Sequence, residues 1–261
     1  MVQQYIFAFN TIRLSFRRMN DLIKETRLTS LFQTGQQPSA DIVEITYFTD
    51  PLCCWSWALE PQWQRLLFEY DGHIARKYVM GGLLPEWDKY EDTVNFISRP
   101  AQMGPLWMQA SHISGMPMAS TIWHTDPPVS SYSACIAVKC AELQSPAAGE
   151  RYLRLLRESL MLHSRNISRQ EVLVETAQQL AGEIKDFDLD KFEQDLVNGT
   201  GLEAFRTDLH AVQIQNIERF PALLFRRNGH RSVMLTGYKP YEILLEAFQQ
   251  VATGIQQVNS H

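Results

Sequence analysis

The sequence predicts an α/β protein in two halves, a βαβ unit starting near residue 42 and a ββα unit starting near residue 221, with a helical block between them. Three observations carry that expectation. The alternating apolar run Ile42-Val43-Glu44-Ile45-Thr46-Tyr47-Phe48 reads as a β-strand. Apolar residues then recur at helical spacing, at Trp57, Leu59, Trp63, Leu66, Leu67 and Tyr70. Far along the chain, Asn228-Gly229 separates two apolar runs, the pattern of a β-hairpin.

Residues 1–40 come first and read as an extension. Arg13, Arg17, Arg18, Lys24 and Arg27 make them more basic than the rest, and Gly35-Gln36-Gln37-Pro38-Ser39 reads as a linker. An amphipathic arm of this kind suits contact with a partner or an anionic surface. The plainer expectation, adopted here, is a disordered terminal extension. The first strand and helix follow, to about Tyr70, and Asp71-Gly72 marks a turn. His73 to Met80 is a second strand, so strand, helix and strand make a parallel pair with a crossover. Gly81-Gly82 closes it.

From Leu83 to about Pro128 the pattern weakens under repeated prolines. Met103, Trp107, Met108 and Trp123 suit a surface that takes varied peptides, and equally an irregular core under loops. The second reading is adopted. Helices are expected from Tyr132 to Leu143 behind Ser130 or Ser131, from about Ala147 to Leu162, after a Ser168–Glu171 capping box, from about Asp188 to Val197, and from about Leu202 to Asn216. Pro221 to Arg226 and Arg231 to Leu235 form the hairpin, and Tyr241 to about Val251 the last helix. The expected division is therefore an extension at 1–40, a sheet domain in two pieces at 41–82 and 217–255, and an inserted helical domain at 83–216.

Composition narrows the function. Hydrophobic residues make up 45% and charged residues 20% of the 261 residues, enough to bury a large core without disulfides. A formal net charge of −5 argues against a nucleic-acid partner held by a basic surface. No apolar run reaches bilayer-spanning length, so no membrane partner is expected. The cysteines Cys53, Cys54, Cys135 and Cys140 lack the spacing of a secreted disulfide framework, and Tyr5-Ile6-Phe7-Ala8-Phe9 lacks the flanks of a signal peptide. A cytoplasmic protein with reduced thiols is expected. Its histidines are scattered without metal-ligand spacing, so no metal is expected.

The cysteine pair Cys53-Cys54 falls where strand turns into helix. The first backbone N–H groups of a helix lack partners and, with the helix dipole, favour negative charge. A thiol placed there is expected to ionise more readily. Cys135 and Cys140 are five residues apart, do not share a helix face, and read as core.

The order βαβ, helices, hairpin, helix is that of a thioredoxin fold with an α-helical block inserted. With Asp50-Pro51-Leu52-Cys53, Trp57 and the distant Phe220-Pro221, the chain resembles the DsbA-like thiol–disulfide oxidoreductases, in particular the cytoplasmic FrnE type. Their motif is Asp-Pro-x-Cys-x-x-Cys-Trp, and the resemblance covers about Ile42 to Val251. It implies Cys53 as attacking thiol, Pro221 as a cis-proline facing it, Phe220 and Trp57 as substrate contacts, and Asp50 and Pro51 as supports. A trans proline opening a strand is the alternative for Pro221. The chain also resembles the YjbH-type adaptors, through Asp50-Pro51-Leu52-Cys53, Leu59-Glu60-Pro61 and the block from Trp123 to Leu196. That branch delivers a transcription factor to a ClpXP protease.

One departure matters. The family's second cysteine is replaced by Ser56. A hydroxyl cannot resolve a mixed disulfide. Cys54 is the other nearby thiol, but adjacent Cα atoms stand about 3.8 Å apart, short of the roughly 4.4–6.8 Å that disulfides prefer. Ser56 is expected to cap the helix or hydrogen-bond the Cys53 thiolate. The first expected function is thus a monothiol oxidoreductase or isomerase acting on a protein or glutathione mixed disulfide, with no tightly bound cofactor and glutathione as co-substrate. The second is a ClpXP-type adaptor without turnover. The third is a relative of the kappa-class glutathione transferases, suggested by Ser56-Trp57.

Overall fold

The computed structural model of the protein describes residues 42–90, 92 and 95–255. The extension expected at 1–40 lies outside the described residues.

The first half is strand β1 (Val43–Thr49), helix α1 (Cys54–Glu69) and strand β2 (Ile74–Met80). Alternation in β1 sends Val43, Ile45 and Tyr47 to one face. Leu59, Trp63 and Leu66 of α1 meet them there. β1 and β2 pair in parallel, Val43 opposite Ile74 through Thr49 opposite Met80. The second half is β3 (Ala222–Arg226), β4 (Val233–Thr236) and a closing helix (Tyr241–Val251) that packs beside α1. β3 runs antiparallel to β1, so the sheet order is β2-β1-β3-β4. This is a thioredoxin-like fold with a helical insertion.

The hairpin differs from the expected short loop. The strands end at Arg226 and resume at Val233. The turn sits at Arg227 to His230, with Gly229 at φ +79°. Residues 228–232 are exposed, so nothing apolar holds Arg231 and Ser232 in the ladder.

Between the halves come α2 (Met103–Ser114), the single turn α3 (Ile122–Thr125), α4 (Tyr132–Glu142), α5 (Pro146–Met161), α6 (Gln170–Glu183), α7 (Leu189–Asn198) and α8 (Thr200–Ile214); the closing helix is α9. Helix α2 corrects the reading of an irregular stretch. Pro100 opens a short 3₁₀ turn before it and Pro105 stands in its first turn, where a missing N–H breaks no helix bond. Its buried Met103, Trp107 and Ala110 fall on one face. The Trp107 ring meets Trp123 edge to face at 5.2 Å. Both indoles are buried, whereas Met108 is 64% exposed. Trp107→Ala is expected to destabilise the chain by about 3–5 kcal/mol, measured by urea unfolding, because the cavity left is larger than the site can close.

The capping box is also corrected. Ser168 donates its hydroxyl to Asn166 Oδ1 at 2.5 Å, and α6 starts after Arg169 with no side-chain cap. Asp188 does cap α7, accepting the Lys191 N–H at 2.9 Å. Among the described residues no helix is long and apolar enough to cross a membrane.

Candidate functional site

β1 ends at Thr49, and Asp50-Pro51-Leu52 turns the chain into α1. Cys53 is the cap residue of α1 rather than a member of its first turn, with extended φ −75° and ψ 108°. Its N–H donates to Asp50 O at 3.1 Å, and its carbonyl accepts from Ser56 N at 3.1 Å and Trp57 N at 3.2 Å.

The Cys53 thiol donates to the carbonyl of Phe220, Sγ to O 3.6 Å, across 167 residues of sequence. The Phe220–Pro221 peptide is cis. Cys53, Phe220 and Pro221 therefore do come together. The approach depends on Gly81, where the Phe220 ring lies so close that a Cβ would stand 2.1 Å from its Cζ. Gly237 N donates to Pro221 O at 2.7 Å and fixes the far side of the loop.

The electrostatics correct one expectation. Cys53 is 4% exposed, and burial pushes its thiol above the ordinary range. The Ser56 hydroxyl and N–H pull it back down, Asp50 adds to the rise, and Arg157 opposes it. Helix-start acidification is thus outweighed by desolvation. Cys54 is 3% exposed, and burial drives its thiol well up. It packs into the core of the helical block, on the same side as Trp57.

Trp57, expected as a substrate contact, lies on the inner side of α1. It is 4% exposed and its indole N–H donates to Pro117 O at 3.0 Å. Ser56 is fully buried and is not the cap. Its hydroxyl has no hydrogen-bond partner. A thiolate at Cys53 would give that hydroxyl an acceptor.

Asp50 is fully buried, and Pro51 beside it is buried too. The Asp50 carboxylate accepts from Leu52 N at 2.8 Å, Leu83 N at 2.7 Å and Ser131 Oγ at 2.9 Å. Cys135 Sγ donates to the same oxygen as Ser131, at 3.3 Å. Burial raises the pKa of Asp50, and these donors limit the rise. Cys135 is core as expected, but it also belongs to this network.

Sequence reasoning missed Arg157. It is 1% exposed on α5, donates through Nη1 to Glu60 Oε2 at 3.2 Å, and bonds Thr49 Oγ1 through Nη2. The signal was present: an arginine between Leu153 and Leu160, on the apolar face of an amphipathic helix. Tyr90, from the loop after β2, also senses the charges of Cys53 and Asp50. Among the described residues no group of His, Cys, Asp and Glu could hold a metal.

The thioredoxin family model described as "Thioredoxin" matches residues 47–246. The ClpXP adapter protein SpxH of Halalkalibacterium halodurans is 30% identical over 211 residues, covering 80% of this chain and 67% of that protein. The ClpXP adapter protein SpxH of Shouchella clausii is 31% identical over 216 residues, covering 82% and 68%. The chain thus spans about two thirds of the length of these relatives. Among solved structures, a putative protein disulfide isomerase from Nitrosomonas europaea superposes with TM-score 0.65 at 19% identity, over 80% of this chain and 96% of that one. The cytosolic disulfide reductase DsbM of Pseudomonas aeruginosa superposes with TM-score 0.59 at 17% identity, over 79% and 93%. At these identities the two structures show the fold.

Proposed function

Because the chain belongs to the thioredoxin family, we propose that it is a protein-binding adaptor on a redox scaffold, presenting a client polypeptide to a ClpXP-type protease in the cytoplasm. The observation that carries this reading is the condition of Cys53. Its thiol is almost wholly covered and pushed towards protonation by burial, with Ser56 where a resolving thiol would stand. The thiolate is the reacting form, so this sulfur is poorly suited to rapid turnover. Likeness to adapter proteins over about four fifths of the chain supports the reading.

A second reading is favoured by the main-chain acceptor 3.6 Å from the sulfur, at Phe220. Here Cys53 thiolate attacks one sulfur of a mixed disulfide and the other sulfur leaves as thiolate. Glutathione thiolate then attacks the glutathionylated or peptidyl sulfur bonded to Cys53 and frees the Cys53 thiolate. Glutathione is a co-substrate in this scheme, and no tightly bound cofactor is invoked.

One paired experiment separates them. Wild type and Cys53→Ser are used to capture a client whose breakdown by ClpXP is followed, and both are assayed for reduction of a glutathionylated peptide. Equal client delivery without turnover by either protein is the expected result. Turnover that Cys53→Ser abolishes, with no client delivered, overturns the adaptor reading in favour of exchange. Conjugation of glutathione to an electrophile would replace both with the transferase reading.

A further inference from the structure

From the helical block, Arg157 reaches Thr49 at the end of β1. Thr49, which it bonds, immediately precedes Asp50, and the Asp50 carbonyl takes the Cys53 N–H. A guanidinium stays charged in proteins, so it cannot shed its proton to ease burial. The carboxylate that answers it at 3.2 Å is Glu60. Glu60 is itself shared with Gln64, at 2.9 Å, and lies 3.8 Å from Arg154. Arg157 Nε is buried with no partner. The cation is therefore incompletely answered.

The groups that could answer it are few. The charge of Cys53 couples to Tyr47 from β1, Asp50 from the turn, Cys54 from α1, Tyr90 from the loop after β2 and Arg157, and that of Glu60 from α1 couples to Arg157. Tyr78 of β2 couples to Arg157 as well. Phe220 contributes a carbonyl oxygen rather than a charge. Burial pushes the Tyr47 phenol up to about 12, so it stays neutral. Asp50 is already surrounded by donors. Cys53 is left as the group that can supply new negative charge.

We propose that Arg157 is a positioning residue for the Cys53 thiolate: brought by α5 to Thr49, four residues before Cys53, it steadies the negative sulfur, and Glu60 sets how much of its charge is available. This rests on Cys53 being the reacting thiol, as the exchange reading has it. The field of Arg157 favours the ionised Cys53, in line with the proposal.

The test is the rate of Cys53 alkylation by iodoacetamide against pH, read by mass spectrometry in a Cys54→Ser background. Glu60→Gln leaves the cation unanswered and should lower the ionisation midpoint. Arg157→Met removes the cation and should raise it. Shifts of about one pH unit, a tenfold change in thiolate below the midpoint, are expected in opposite directions. Arg157→Lys keeps the charge and should stay within a few tenths of a unit. If Arg157→Met does not fold by circular dichroism, Glu60→Gln and Arg157→Lys decide alone. A Glu60→Gln midpoint that stays put or rises, or an Arg157→Lys midpoint displaced by a full unit, overturns the proposal. The assay needs neither client nor turnover, so its failure is distinct from failure of either functional reading.

Discussion

Asp50→Ala is expected to cost about 3–5 kcal/mol of folding stability, because it strands several buried donors at once and each stranded donor costs about 1–3 kcal/mol. The affected groups are the Leu52 and Leu83 N–H groups, the Ser131 hydroxyl and the Cys135 thiol. The sum is less than additive, since Ser131 can turn to Leu84 O at 3.5 Å. Asp50→Asn should lose less, because one amide oxygen still accepts. The same residue gives a pH dependence. Burial raises the Asp50 pKa in the folded state above its unfolded value. A raised acid pKa contributes stability that is complete below the unfolded pKa and is lost as pH rises through the folded one. Wild type should therefore gain stability relative to Asp50→Asn as pH falls towards the ordinary carboxylate pKa. Urea unfolding across that range checks it, and a gap that widens in the other direction would refute the assignment.

Ser56→Cys is expected to turn a monothiol site into a dithiol one. Ser56 N bonds Cys53 O at 3.1 Å, so the two side chains leave the same turn of helix. Ser56 Oγ is buried and unpartnered, and a sulfur in its place has little to displace. In a Cys54→Ser background, mild oxidation should remove both thiols and lower the mass by a pair of hydrogens. In its reduced dithiol form the variant should reduce a protein disulfide that the wild type leaves untouched, itself ending as the disulfide, since an internal thiol now resolves the mixed disulfide. Four free thiols after oxidation, Cys135 and Cys140 among them, would sink this expectation.

The two halves of the sheet were legible because their signals are local. Alternation marks β1, helical spacing marks α1 and α9, and Asn228-Gly229 marks the hairpin turn. Pro221 could be set against Cys53 only through a family resemblance, since nothing local links residues 167 apart. Helix α2 was hidden because prolines that open helical turns look like breakers. Ser168 was misread because Asn166, two residues back, competes for its hydroxyl. Trp57 stands three residues after the core residue Cys54 and shares its buried side, a burial that their spacing already implied. Arg157 escaped because its partners Thr49 and Glu60 lie about a hundred residues upstream, and a charge on an apolar helix face names no partner.

The Asp50 carboxylate ties together a turn at residue 52, a strand exit at 83 and a helix at 131–135. The block between β2 and β3 is therefore no removable cassette. A trimmed protein joining the two halves directly would lack the hydroxyl and thiol that hold this carboxylate. During synthesis, too, the ribosome must release α4 before the motif made some eighty residues earlier can lock into shape.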